Sequence, residues 1–404
     1  MFDNPNSLQK QILFICDFSS SHSRSLIGYF SKQKSLVISV ISTFWAEEME
    51  GVYLILLNKD RLDSKSSAVK LIANIIQNLS SSLYLKLSAF RLKRISKRLS
   101  LILKDTELSV TPDIIHILRT QPEGLSSVEF LKCHSSRKYL TTWGQDFVLW
   151  ANSDAWMKKQ TQALLQQIDN VYPDNHRDER IIREDYQRSS INSFVMPATG
   201  GLQLEFLDKF DNLPIINFKN QITFFTNRGY PSSFVKLKEL LQAYKNILSI
   251  HPDSHFYIDL MSRTDIERDK TIKNWIRELG IEQSITILHL SREETFAYLR
   301  SCDYYVTATM SDGLPLSLLE SIYFGIIPIV YNHESTSNLL LEFEKIYCYD
   351  DFNPEVISEC VRNAIRDNKL SRESHTFINR KIIREKYNQE INLQKTLGHY
   401  LSNE

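Results

Sequence analysis

From residue 221 onward, short runs of β-branched and aromatic residues alternate with segments whose apolar positions recur every three or four residues. The runs "QITFFTN", "HFYIDLM", "SITILHL", "DYYVTAT", "IIPIVYN" and "KIYCYD" predict strands. Between them "VKLKELLQAYKNIL", "DKTIKNWIRELG", "REETFAYLRSC" and "PLSLLESIYFG" predict helices. Such alternation implies a parallel sheet covered on both faces. The first half repeats the theme less tidily, with strands predicted at "QILFICDF", "SLVISVIS", "VYLILLN", "DIIHIL", "KYLTTW" and "SFVMPA". The fold class is therefore α/β, with two doubly wound domains. Polar residues and a proline interrupt the pattern over 208–220, which divides the chain into 1–210 and 211–385. The last segment, "REKYNQEINLQKTLGHYL", predicts one terminal helix, with 386–404 expected to pack back on the first domain.

In open parallel sheets ligands bind beyond the carboxyl ends of the strands, so the loops there are where chemistry is expected. Composition narrows the partners. The 404 residues are 42% hydrophobic and 24% charged with a formal net charge of +0, which gives no global attraction to nucleic acid. Five scattered cysteines show neither metal-binding nor redox spacing, and reduced thiols are expected. The N-terminus lacks a basic leader, and no run approaches membrane-spanning length. A cytoplasmic protein is expected, with attachment to the inner face of a membrane left open.

One stretch concentrates chemistry. In "SDGLPLSLLESIYFGIIPIVYN", 311–332, a loop at a strand's carboxyl end feeds an apolar helix expected to begin near Pro315 or Leu316. The start of such a helix offers N–H groups and a positive dipole end to an anion such as a diphosphate. Gly313 lets backbone approach a ligand, and Pro315 suits a first helical turn. Asp312 on the loop and Glu320 on the helix are acceptors suited to sugar hydroxyls. The plain alternative is that Ser311 or Asp312 caps the helix and Glu320 faces solvent.

That segment resembles the signature of glycosyltransferase family 4, retaining nucleotide-sugar enzymes of the GT-B fold. "PDIIHILRTQPEGL", "TTWGQDF" and "VMPATGGLQLEF" are similar, in the right order, to further regions of that family. The resemblance implies two Rossmann-like domains facing a central cleft, the first binding the acceptor and the second the nucleotide-sugar. It implies catalytic roles for Arg228, Lys236, Asp312 and Glu320, and donor binding by Gly229, Gly313, Leu314, Pro315, Leu316 and Ser317. Arginine can clasp phosphate oxygens with two parallel bonds, and lysine adds a point charge. On the acceptor side the candidates are Ser20, Ser21, His22, Arg24, His116, Trp143 and Gly144. Three features depart from the family: Asp312 stands where glutamate is usual, Trp143 where many members carry histidine, and "DFSSSHSRS" replaces a glycine-rich turn.

No cofactor is expected. No Asp-X-Asp pair ends a strand and no His or Cys cluster has ligand spacing, so metal-independent transfer is expected. A glycosidase-like carboxylate pair is not evident either, which leaves a double displacement without its nucleophile. The expected partners are a nucleotide-sugar donor and a glycan or lipid-linked acceptor, as in bacterial capsule or lipopolysaccharide assembly. The segment 86–104 carries Lys86, Arg91, Lys93, Arg94, Lys97, Arg98 and Lys104 with no acid among them, beside an apolar stripe. It suits either an anionic membrane surface or a core-packed helix with a solvated face. A catalytically silent partner of an active enzyme, and a GT-B epimerase or phosphorylase, are the alternative functions.

Overall fold

The computed structural model describes residues 9–57, 81–211, 215–218, 221–229, 234–260, 266–367 and 372–402. The chain divides into two compact units, Met1–Gly201 with Gln389–Glu404, and Leu202–Asn388.

The first unit runs β1 (Lys10–Cys16), α1 (Ser21–Phe30), β2 (Leu36–Ser42), β3 (Val52–Leu56), α2 (Ser81–Lys104), β4 (Ile114–Leu118), α3 (Leu125–Lys132), β5 (Arg137–Thr141), α4 (Ala155–Leu165), β6 (Asn170–Tyr172), α5 (His176–Glu184) and β7 (Asn192–Ser193). Its seven strands lie in the order β3-β2-β1-β4-β5-β6-β7, every pair parallel. The central strands β1 and β4 are buried on both faces, which is why "ILFIC" reads as an unbroken apolar run and "IIHIL" as one interrupted by His116 alone. The strand predicted at "SFVMPA" is reduced to β7, although the Phe194 and Met196 N–H groups still donate to the Val171 and Pro173 carbonyls, each at 3.0 Å. The three-residue β6 was too short to register as an alternation.

The second unit contains α6 (Leu204–Asp208), β8 (Thr223–Thr226), α7 (Leu237–Leu248), β9 (His255–Asp259), α8 (Ile266–Leu279), β10 (Ile285–Leu288), α9 (Arg292–Ser301), β11 (Tyr304–Thr307), α10 (Leu316–Tyr323), β12 (Ile327–Tyr331), α11 (Glu334–Glu342), β13 (Tyr347–Tyr349), α12 (Pro354–Asp367) and α13 (Arg372–Lys386). All six strands predicted here are present, again parallel, in the order β10-β9-β8-β11-β12-β13. The division falls at Gly201–Leu202, because Leu204, Leu207 and Phe210 join the core of this unit with Phe296 and Leu318. Of the predicted boundary segment 208–220, residues 212–214 and 219–220 lie outside the described residues.

The single terminal helix predicted from the sequence is two helices. It breaks at Tyr387–Asn388, where the Leu202 N–H donates to the Tyr387 carbonyl at 2.7 Å, and α14 (Gln389–Leu401) then returns to the first unit. There Tyr400 is fully buried against Phe30 and Tyr139.

Candidate active site

The residues predicted for the donor site come together at the carboxyl ends of β8 and β11, neighbouring strands of the second sheet. Arg228 lies two residues past β8, its N–H donating to Thr226 Oγ1 at 3.1 Å. Beyond β11, Val235 forms an antiparallel bridge with Thr309, and the Lys236 N–H donates to the Ala308 carbonyl at 2.8 Å. The loops after the two strands are thus stitched together. Across them the Arg228 guanidinium sits 3.0 Å from Asp312 Oδ2. The other carboxylate oxygen of Asp312 accepts from the Gly313 N–H at 2.9 Å, and its carbonyl accepts from Ser335 Oγ at 2.8 Å. Beneath the pair, the Tyr305 hydroxyl donates to Asn227 Oδ1 at 2.9 Å and lies 3.0 Å from the Ser317 hydroxyl. These groups border a cavity of about 20 Å³ lined by Arg228, Tyr305, Thr307, Asp312, Ser317 and His333. That volume suits a water molecule, not a sugar ring.

Helix α10 begins at Leu316 with Pro315 as its N-cap, in extended backbone and with no side-chain capping bond. Neither Ser311 nor Asp312 caps it, and Glu320 does not face solvent. Glu320 is 7% exposed, and its Oε1 is 3.0 Å from Arg292 Nη2. Burial pushes its carboxyl up to about 7, while Arg292 and then Arg228 pull it back. Arg292 escaped the sequence reading. The available signal was "SREE": Ser291 and Glu294 form a capping box, which makes Arg292 the first residue of a helix at the carboxyl end of β10.

Other members of the predicted donor set have structural employment. Gly229 is required by packing: a Cβ there would stand 2.3 Å from Ile258 Cγ2 and 2.9 Å from the Asp259 carbonyl oxygen. Leu314 and Leu316 pack against the core that contains Leu318 and Tyr323. The Lys236 ammonium is 3.8 Å from Glu239 on its own helix and is not among the residues lining the cavity. Among the described residues no three His, Cys, Asp or Glu side chains are grouped to hold a metal ion.

The acceptor candidates lie in the first unit and are scattered in role. His116 is a correction: it is 1% exposed within β4, its ring nitrogens bonded to the Tyr400 hydroxyl and, at 2.8 Å, to Thr141 Oγ1. Burial holds it neutral, with a pKa lowered to about 3. Arg24 is tied to the carbonyls of Glu47 and Glu48 at 2.8 and 3.2 Å and lies over Phe18, so it braces a loop. Ser20 is the N-cap of α1, Ser21 opens the helix, and the Gly144 carbonyl accepts from Arg177. Trp143 meets His22 edge-on at 5.3 Å and carries the Arg119 guanidinium 5.7 Å from its ring centre.

Around that tryptophan lies a polar cluster the sequence did not signal. Arg119 has a backbone φ of 93° and faces the buried Asp146 at 3.6 Å. Glu123, 1% exposed, has a carboxyl pushed up to about 7 by burial. Glu123 Oε2 and Trp143 Nε1 are buried without hydrogen-bond partners among the described residues. Buried polar atoms left this way mark a place where a polar ligand or ordered water completes the bonding.

Residues 217–381 match the family model described as Glycosyl transferases group 1. No curated protein sequence matches the chain. Solved structures match over nearly all of it. A glycosyltransferase from Rickettsia africae ESF-5 is 14% identical with a TM-score of 0.69, covering 98% of this chain and 100% of its own. Sucrose-phosphate synthase from Thermosynechococcus elongatus is 11% identical with a TM-score of 0.70, covering 97% and 98%. A structure described as trehalose-6-phosphate from E. coli bound with UDP-2-fluoro glucose is 13% identical with a TM-score of 0.65, covering 97% and 99%. The fold is GT-B, and with the group 1 match over the second unit the protein is a glycosyltransferase.

Proposed function

We propose that the protein is a retaining transferase of the family 4 type, moving a sugar from a nucleotide-sugar to a glycan or lipid-linked acceptor. The observation that carries this is the meeting of Arg228, Asp312 and the α10 start at adjoining strand ends, with Glu320 buried on the same helix. Charge that builds on a departing diphosphate is met by the Arg228 guanidinium and the amides of the α10 turn, with Lys236 assigned a supporting role. Glu320 receives hydroxyl hydrogens of the nucleotide, and Asp312 those of the sugar. Transfer proceeds on the front face, the leaving phosphate drawing the acceptor proton, without a metal. A role in capsule or lipopolysaccharide assembly, at the inner face of a membrane, is the cellular setting consistent with a lipid-linked acceptor.

Support for the membrane setting comes from α2. Leu99 and Leu103 turn inward, while Leu87, Phe90 and Leu101 are exposed at 43%, 62% and 70%, among Lys86, Arg91, Arg94, Arg98 and Lys104. Among the described residues no helix is long and apolar enough to cross a membrane.

The silent-partner alternative rests on one observation: the Arg228 guanidinium is already paired by Asp312. Calorimetry with UDP, GDP, ADP and CDP separates the two readings. Micromolar binding of one diphosphate, abolished in Glu320→Ala, supports transfer; binding of none removes it. Incubating the matching nucleotide-sugar without acceptor distinguishes an epimerase, which alone would return an altered sugar-nucleotide.

A further inference from the structure

Arg292 is placed unlike an ordinary surface arginine. Its side chain is 57% exposed, yet it grips a carboxylate whose side chain is only 9% exposed, so it stands between Glu320 and solvent. Its guanidinium rests 5.8 Å from the ring centre of Phe206 and 5.5 Å from that of Phe296, a seat that limits its rotamers. The capping box of α9 fixes its backbone, and α9 packs on α10, which carries Glu320. Only Oε1 of Glu320 is engaged; its second oxygen accepts no hydrogen bond from the described residues. An ionised carboxylate with one oxygen held and the other open presents acceptors in a fixed direction, the complement of neighbouring hydroxyl donors.

We infer that Arg292 is a positioning residue that sets the donor site's preference for an intact ribose diol, by holding the Glu320 carboxylate with one oxygen turned to the sugar. This rests on the donor-site reading above and adds to it a residue outside the loop motif. The other groups that face Glu320 act differently. Arg228, from the loop after β8, shares its charge with Asp312, and Tyr305 of β11 is neutral, burial pushing its hydroxyl up to about 12. At the far end of α10, Arg380 is bonded to the Tyr323 carbonyl, and Asp208 and Arg384 to its hydroxyl. Arg292 is thus the cation in direct contact with this carboxylate among the described residues. Without it, a buried acid in that position favours its protonated form at neutral pH.

The test is calorimetry on wild type, Arg292→Ala and Arg292→Lys, using UDP, GDP, ADP and CDP and their 2′-deoxy counterparts at about pH 6.5, 7.5 and 8.5. Wild type is expected to disfavour the deoxy form of its preferred nucleotide by about tenfold. Arg292→Ala is expected to lose most of that discrimination and to bind the ribose form better as pH rises. Arg292→Lys should restore the neutral-pH affinity in part. An alanine variant that keeps the wild-type ratio and pH profile overturns the assignment. So does one that weakens ribose and deoxyribose forms equally at every pH, which is the signature of a merely structural role. If wild type binds no diphosphate at all, the donor-site reading fails and takes this inference with it; that outcome is distinct, because it is read before any variant is made.

Discussion

Arg228 and Asp312, 84 residues apart in sequence, meet at 3.0 Å because β8 and β11 are neighbours and their following loops are bonded to each other. The pairing holds a guanidinium ready for phosphate oxygens with little reorganisation left to make. Arg228→Ala is expected to lower kcat by about 10²-fold or more, the scale for losing one preorganised charge-stabilising group. Steady-state kinetics check it, and Arg228→Lys should recover only part, since lysine cannot make the two-point contact. An unchanged kcat would take Arg228 out of the chemistry.

His116, a cleft candidate in the sequence, is a core residue bonded to Tyr400 and Thr141, and that burial makes its titration a test of the placement. Its folded pKa, about 3, lies below the ordinary value of 6.5, so the unfolded chain takes up the proton first. The stabilisation from keeping it neutral is complete above about pH 6.5 and is lost as pH falls toward about 3. Replacing it by Phe leaves the hydroxyls of Tyr400 and Thr141 without their ring partners, which costs about 1–3 kcal/mol. Urea unfolding at neutral pH should show that loss, and a flatter decline on acidification, while nucleotide affinity stays at the wild-type value. A drop in affinity with unchanged stability would restore the cleft assignment.

Gly229 makes an independent point about why a loop residue is glycine. Gly229→Ala drives a methyl into Ile258 and the Asp259 carbonyl. The expected cost is about 1–3 kcal/mol, as for other overpacked sites, with Arg228 displaced alongside it. A thermal midpoint matching wild type would show that the backbone yields, and would leave close approach to a ligand as the reason for the glycine.

The exposed face of α2 yields a fourth expectation. Arg91, Arg94 and Arg98 replaced together by Gln should weaken sedimentation with phosphatidylglycerol vesicles by about a hundredfold, taking roughly 1 kcal/mol per cation near an anionic surface. Serine at Leu87, Phe90 and Leu101 should weaken it as well, and neutral vesicles should bind neither form. Equal partitioning of all variants would assign the stripe to ordinary solvation.

The second unit was legible because each of its strands is a run flanked by a helix of clear period, and its site motif is local, Asp312 to Glu320. What the sequence hid are relationships across long separations. Arg292 belongs to a different helix from Glu320, and nothing in "SREE" names its partner. Glu123 and Asp146 sit in short irregular turns, 120–124 and 146–151, the first broken by an extended Gln121, that no simple periodicity describes. His116 misled because an apolar strand with one histidine looks the same whether the ring meets a ligand or a distant tyrosine. Trp143 keeps company with His22 and Arg119, residues brought in from the first turn of α1 and from the end of β4.

The route of the chain has a consequence for its birth on the ribosome. Leu202–Asn388 is one uninterrupted stretch whose two ends are bonded together, whereas the first unit lacks α14, and with it Tyr400 beside His116, until some two hundred residues later. Domains usually mature in the order of synthesis. Here the portion translated first is the one completed last.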